Sequence, residues 1–178
     1  LDALYQKGDY EALGQLIGDI KQQNDHLAQT QFTENFTVNT ILQDAAYRAA
    51  QSDIRFEALV SVPPQLTVAE GDLCELLMNM LDNALEAAAE ADAGKRFVRF
   101  QIETKNGFLA VKCENSYSGK RRQDANGNYI TTKNDAETHG FGLKLMSAVA
   151  VRYHSMLDIF TSENQTFTVQ TALKLPKK

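Results

Sequence analysis

The chain has 178 residues, 43% of them hydrophobic, and a net charge of −5, with an isoelectric point near 5.2. That length fits one domain with an appendage and that apolar fraction can build a core, while the acidic balance argues against nucleic acid or an anionic membrane surface as the main partner. No apolar run approaches the roughly 20 residues that span a bilayer, and no signal peptide is visible.

The chain begins with Leu1 rather than Met, which predicts a piece of a longer protein. Tyr10, Leu13, Ile17 and Ile20 recur at helical spacing behind Asp9 as an N-cap, so a first helix is expected there, packing against a twin in a dimer or against an upstream part. Residues 24–36 are polar and read as a linker. Val38, Ile41, Leu42, Ala45 and Ala49 share one face of a second helix, about Val38 to Gln51. Ile54 to Val62 alternates as a strand, and Pro63-Pro64 ends it. Thr67 with Glu70 three residues on is a capping box for the helix that follows, and Asp72 with Glu75 is a rival start.

That third helix, Asp72 to Glu90, organises the chain. Leu73, Leu76, Leu77, Met80, Leu81, Ala84, Leu85 and Ala88 form its apolar stripe. At about 100° per residue, Asp82, Glu75, Glu86, Asn79 and Asn83 fall in one polar stripe, with Glu75, Asn79 and Asn83 on a single row. A solvated helix face favours Lys–Glu pairs, yet no cation occurs from Asp72 to Asp92, and two asparagines sit mid-helix against propensity. Oxygen-bearing side chains without a cation suit a hydrated magnesium ion; a plain acidic surface is the bland alternative.

After Gly94 the period switches to strands. Phe97 to Thr104 and Phe108 to Glu114 flank Asn106-Gly107, a strong hairpin signal. Ser116 to His139 shows no sustained periodicity and predicts a functional or disordered loop, with Lys120-Arg121-Arg122, Asn126-Gly127-Asn128 and Thr131-Thr132-Lys133 inside it. A helix from about Gly142 to His154 and two strands, about Leu157 to Ser162 and Thr166 to Leu175, complete the chain. Cys74 and Cys113 lack metal-ligand spacing and read as small core residues in a reducing cytosol. The tally predicts an α+β two-layer sandwich, a roughly five-stranded mixed sheet with three helices on one face.

His139-Gly140-Phe141-Gly142-Leu143 opens the last helix. Glycines there admit close backbone approach, and the free amides of a helix start favour phosphate oxygens. In company with the acid–asparagine helix, the hairpin and the polar loop, it carries a resemblance. Glu75 to Ala87 resembles the N-box, and His139 to Leu143 the G2 box, of the GHKL ATP-binding fold found in histidine kinases, type II topoisomerases, MutL-type repair proteins and the large heat-shock chaperones. The nearer likeness is to the accessory-gene-regulator type of quorum-sensing sensor kinase, which has the same Asp-Asn-Ala-x-Glu-Ala ending and a Thr-Thr-Lys before the glycines. It covers residues 36–178; residues 1–35, through Gly8-Asp9-Tyr10-Glu11 and the first helix, resemble a remnant of that family's dimerisation hairpin and a linker.

Two departures stand out. Where the family has Asp-x-Gly-x-Gly, this chain reads Cys113-Glu114-Asn115-Ser116-Tyr117. By strand alternation Asn115 shares a face with Leu109, Val111 and Cys113, so it, and not Glu114, points to the helix layer; its amide oxygen can accept from the adenine amine, as a carboxylate would. Nor does any His stand beside an acid or amide in a dimerisation helix: His26 lies in the linker and His154 ends a helix. The resemblance implies ATP and Mg²⁺ as cofactors, and γ-phosphoryl transfer to a histidine upstream of Leu1. It implies that Asn79 holds Mg²⁺, that Asn83 supports metal and phosphates, and that Glu75 orients the nucleophile or a metal water. Asn115, Lys133, His139, Gly140, Gly142 and Leu143 complete the implied nucleotide site. Lys133 is otherwise a solvated loop residue and His139 a helix cap, while Asp82 and Glu86 face solvent or fix the asparagines. The implied partners are the chain's own upstream dimerisation helix, giving a homodimer, and a cognate response regulator, on the cytosolic side of a membrane-bound bacterial sensor. A nucleotide-binding switch without kinase activity, or an ATPase of the topoisomerase type, are the other readings.

Overall fold

The computed structural model describes residues 30–119, 122–123, 129–130, 141–162 and 164–176. The helix expected at Tyr10–Ile20, His26, Lys133, His139 and Gly140 lie outside them. The unit that carries the candidate site is Phe32–Lys178.

Its elements run α1 (Phe36–Gln51), β1 (Arg55–Ser61), α2 (Glu70–Ala89), β2 (Phe97–Lys105), β3 (Phe108–Ser116), β4 (Arg122–Gln123), β5 (Tyr129–Ile130), α3 (Phe141–Arg152), β6 (Asp158–Thr161) and β7 (Thr166–Lys174). Five strands form one sheet in the order β1-β2-β3-β7-β6. β1 and β2 are parallel, joined by α2; the other pairings are antiparallel. The expected α+β architecture of three helices and a five-stranded mixed sheet is therefore the observed one. β4 and β5 pair separately inside the stretch that showed no periodicity.

Alternation decides which sheet face is covered. Val98, Phe100 and Ile102 of β2, Leu109, Val111, Cys113 and Asn115 of β3, and Phe167, Val169, Thr171 and Leu173 of β7 are all buried. They meet Leu73, Leu76, Leu77, Met80, Leu81 and Ala84 of α2, with Val38 and Leu42 of α1 and Met146 and Val149 of α3, in one core. The opposite sheet face carries ion pairs, Glu57 between Arg55 and Arg99 and Lys112 with Glu114, beside an exposed Leu59. Asn106 and Gly107 both take positive φ, 52° and 80°, the conformation a tight two-residue hairpin turn requires.

Asn35 caps α1 by accepting from the Val38 amide at 3.0 Å, and its own amide donates to Pro63 and Pro64 carbonyls. α2 is capped differently from either sequence expectation. Its N-cap is Ala69, with no side-chain cap bond, and Thr67 Oγ1 is buried without a partner. The Ala69 amide donates instead to the Tyr153 hydroxyl at 2.9 Å. A capping box is a local solution; here the orphan donor is satisfied by a residue 84 positions away. No described helix is long and apolar enough to cross a membrane.

Candidate nucleotide site

The row of Glu75, Asn79 and Asn83 emerges on the exposed side of α2, each residue partly buried. Asn79 Nδ2 donates to the Glu75 carbonyl one turn back, at 2.7 Å. With its nitrogen end committed to the helix, Asn79 turns Oδ1 toward Gly142. Gly142, at the start of α3, lies directly against this row. A Cβ added there would stand 3.2 Å from Asn79 Oδ1 and 3.2 Å from Asn83 Nδ2. That is tighter than ordinary van der Waals contact, so a side chain at 142 would make the asparagine amides give by a few tenths of an ångström. Leu143 packs, partly buried, on the core.

Asn115 ends the buried row of β3, between Val98 of β2 and Phe167 of β7. It is 2% exposed. Its Nδ2 donates to the Ser116 carbonyl at 2.8 Å, which leaves Oδ1 as the acceptor end. Glu114 points to the polar sheet face, where Lys112 meets it at 2.9 Å. The side of β3 assigned to each residue from alternation is thus the side each occupies. Tyr117 stacks edge-on to Phe167 beside this position, centroids 6.3 Å apart. Cys113, wholly buried next to Asn115, has its thiol pushed up to about 12 by desolvation and, secondarily, by the Glu114 charge.

The structure brings Glu75, Asn79, Asn83 and Gly142 together and sets Asn115 on the buried sheet face; Lys133, His139 and Gly140 fall outside the described residues. Among the described residues, no group of three His, Cys, Asp or Glu side chains gathers to hold a metal. The donor set that is present, amide and carboxylate oxygens on one exposed helix row against a backbone with no side chain, fits Mg²⁺. That ion takes oxygen ligands, keeps waters, and often rests on one or two protein groups plus phosphates.

Two acids of the helix have partners that local sequence does not reveal. Asp82 receives Arg48 from α1, so it ties two helices together rather than supporting the asparagines. The Arg48 guanidinium is driven above its ordinary pKa, chiefly by that hydrogen bond. Asp72 receives Arg152 through one carboxylate oxygen and the Tyr153 hydroxyl through the other, at 2.7 Å. No periodicity links residues so far apart, and a charge count for residues 72–92 misses both cations.

A family model described as the GHKL domain matches residues 69–174. No curated protein sequence matches the chain. Among solved structures, the fold is similar to the histidine kinase AdeS of Acinetobacter baumannii, at 18% identity and TM-score 0.55, over 99% of this chain and 86% of that one. It is similar to the mycobacterial sensor histidine kinase MprB, at 16% identity and TM-score 0.55, over 79% and 96% of the two chains. A histidine kinase from Burkholderia phymatum aligns at 15% identity and TM-score 0.58, over 94% and 81%.

Proposed function

This chain belongs to the GHKL domain family, and from that membership we propose that it binds ATP with Mg²⁺ as the catalytic domain of a sensor histidine kinase. The γ-phosphoryl group would pass to a histidine nitrogen supplied by a segment outside residues 1–178. The observation that carries the proposal is the approach of Gly142 to Asn79 and Asn83. It sets a helix start, with its free amides, beside the side-chain amides of Asn79 and Asn83, and a nucleotide's phosphates and a cation need both.

Phosphoryl transfer asks a protein for positioning and charge neutralisation more than for covalent chemistry. Asn79 offers Oδ1 to the metal because Nδ2 is held by Glu75 O. Bound there, Mg²⁺ would neutralise phosphate charge. Asn83 would brace the phosphates, and the backbone amides of Gly140 and Gly142 would donate to phosphate oxygens. Glu75 orients the accepting nitrogen, and Asn115 accepts from the adenine amine through Oδ1. Lys133 and His139 would add charge and a hydrogen bond to the phosphates, and Leu143 would line the site.

The likeness in Asp82-Asn83-Ala84-Leu85-Glu86-Ala87, and asparagine at 115, support placing the chain near the quorum-sensing branch. Its partners there would be a dimerisation hairpin, in part residues 1–35 preceding the catalytic domain 36–178, and a response regulator, on the cytosolic side of a membrane.

Asn79→Ala tests the site. Calorimetry with Mg·ATP should show affinity at least roughly tenfold weaker, with the melting temperature little changed because the side chain leaves the core untouched. Unaltered affinity would remove Asn79 from the site.

A further inference from the structure

α3 runs antiparallel to α2. Its first turn lies at Asn79 and Asn83, and its last residues reach the beginning of α2 at Ala69 and Asp72. The far end is tied down from several directions. The Ser155 amide donates to Ala150 O and the His154 amide to Val151 O, a Schellman closure with His154 in the left-handed conformation at φ 53°. The Lys174 amide on β7 donates to Tyr153 O, and the Ser155 hydroxyl meets Thr171 Oγ1 at 3.1 Å. Those bonds hold α3 to the sheet. Beyond the apolar packing of Met146, Val149 and Ala150 in the shared core, a polar junction ties it to α2: the Tyr153 hydroxyl accepts from the Ala69 amide and donates to Asp72 Oδ2, with Arg152 closing on Asp72 Oδ1. Tyr153 is 8% exposed and Asp72 shows 13% of its side chain, so the Tyr153–Asp72 bond is largely shielded from solvent while Arg152 lies on its outer side.

A helix is stiff along its axis, so a bond at one end sets the position of the other. Eleven residues separate Gly142 from Tyr153, about 16 Å at 1.5 Å per residue. A Cβ at position 142 would stand 3.2 Å from both asparagine side chains, so the height of α3 over α2 decides how much room that position has.

We propose that Tyr153 is a positioning residue for the nucleotide site: by joining the end of α3 to the start of α2, its hydroxyl sets the height at which Gly142 stands over Asn79 and Asn83. This rests on the nucleotide site proposed above. Asp72 is the second half of the same clamp.

Tyr153→Phe removes one oxygen and keeps the ring in the core. It should weaken Mg·ATP binding about fivefold, the worth of one net hydrogen bond. In nucleotide-free protein it should also shift the side-chain amide resonances of Asn79 and Asn83. Asp72→Ala should reproduce that shift. A cycle with Gly142→Ala separates positioning from general loss of stability. Sites this far apart normally add. If Tyr153 sets the helix height, the Gly142→Ala penalty on affinity shrinks in the Tyr153→Phe background, because α3 can then yield to the new methyl group. Additive penalties, or unmoved Asn79 and Asn83 amide resonances, would overturn the proposal. A parent chain that bound no Mg·ATP would refute the nucleotide site, and the amide resonances would still decide whether the clamp acts.

Discussion

Asn115 illustrates how much a single buried amide constrains. From chemistry alone, aspartate should serve as well, since a carboxylate also accepts from an adenine amine. The structure changes that expectation. An oxygen in place of Nδ2 would lie 2.8 Å from the Ser116 carbonyl oxygen, at a position only 2% exposed. Asn115→Asp should therefore cost about 1–3 kcal/mol in denaturant unfolding, whatever it does for nucleotide choice. Asn115→Leu should bring the ATP-to-GTP affinity ratio down toward unity in competition binding; an unchanged ratio would take adenine away from this residue. Cys113, two residues back, gives a pH signature. Its thiol is held near 12 in the folded chain against 9.0 for the unperturbed group, so the unfolded state loses its proton first. The stability it contributes is present below pH 9 and lost as pH rises between the two values. Relative to Cys113→Ala, the parent chain should lose about 1.4 kcal/mol of unfolding free energy from pH 8 to pH 10. Parallel stability curves would show the thiol to be solvated.

At the scale of elements, α2 is held by burial far more than by charge. Leu77 is fully buried beneath it, and Leu77→Ala should cost about 2–5 kcal/mol through lost transfer energy and the cavity left behind. The Arg48–Asp82 pair between α1 and α2 is 43% and 45% exposed, and such pairs contribute about 0–1 kcal/mol. Arg48→Met should accordingly move the unfolding midpoint much less than Leu77→Ala. The reverse ranking would mean that the ion pair, not the apolar stripe, sets how these helices meet. The Tyr153 bond to the Ala69 amide belongs to the same scale, because it replaces a local cap with a contact between two elements.

For the whole molecule, the sheet order β1-β2-β3-β7-β6 lays three helices over one face and brings the start of α3 onto the exposed row of α2. It also separates His154 from the site. His154 lies 12 residues beyond Gly142 at the opposite end of α3, roughly 18 Å away at 1.5 Å per residue. In-line transfer needs the accepting nitrogen close to the γ-phosphate. Incubated with labelled ATP and Mg²⁺, the chain alone should acquire no acid-labile phosphate at His154 or His26. A dimerisation helix carrying a histidine, added in trans, should be labelled unless Asn79 is replaced by Ala. Phosphate on His154 would contradict the placement of the acceptor outside this chain, and tight ATP binding with no transfer to any helix would favour a nucleotide switch.

The sequence by itself determined what local periodicity can encode. The helical stripe from Leu73 to Ala88, the Asn106-Gly107 turn, and the strand alternation that turns Asn115 inward and Glu114 outward all arise from backbone geometry acting over a few residues. So did the grouping of Glu75, Asn79 and Asn83 on one row, since i, i+4 spacing already fixes a common side. Tertiary structure alone decided what depends on contacts distant in sequence. It paired β1 with β2 in parallel, put Arg48 on Asp82 and Arg152 on Asp72, and replaced the Thr67–Glu70 capping box with the Tyr153 hydroxyl. It also pressed Gly142 against the two asparagines. Each of these joins residues more than 30 positions apart. No local period carries such pairings; they follow from packing one apolar helix layer on one apolar sheet face, which leaves few ways for the polar edges to meet.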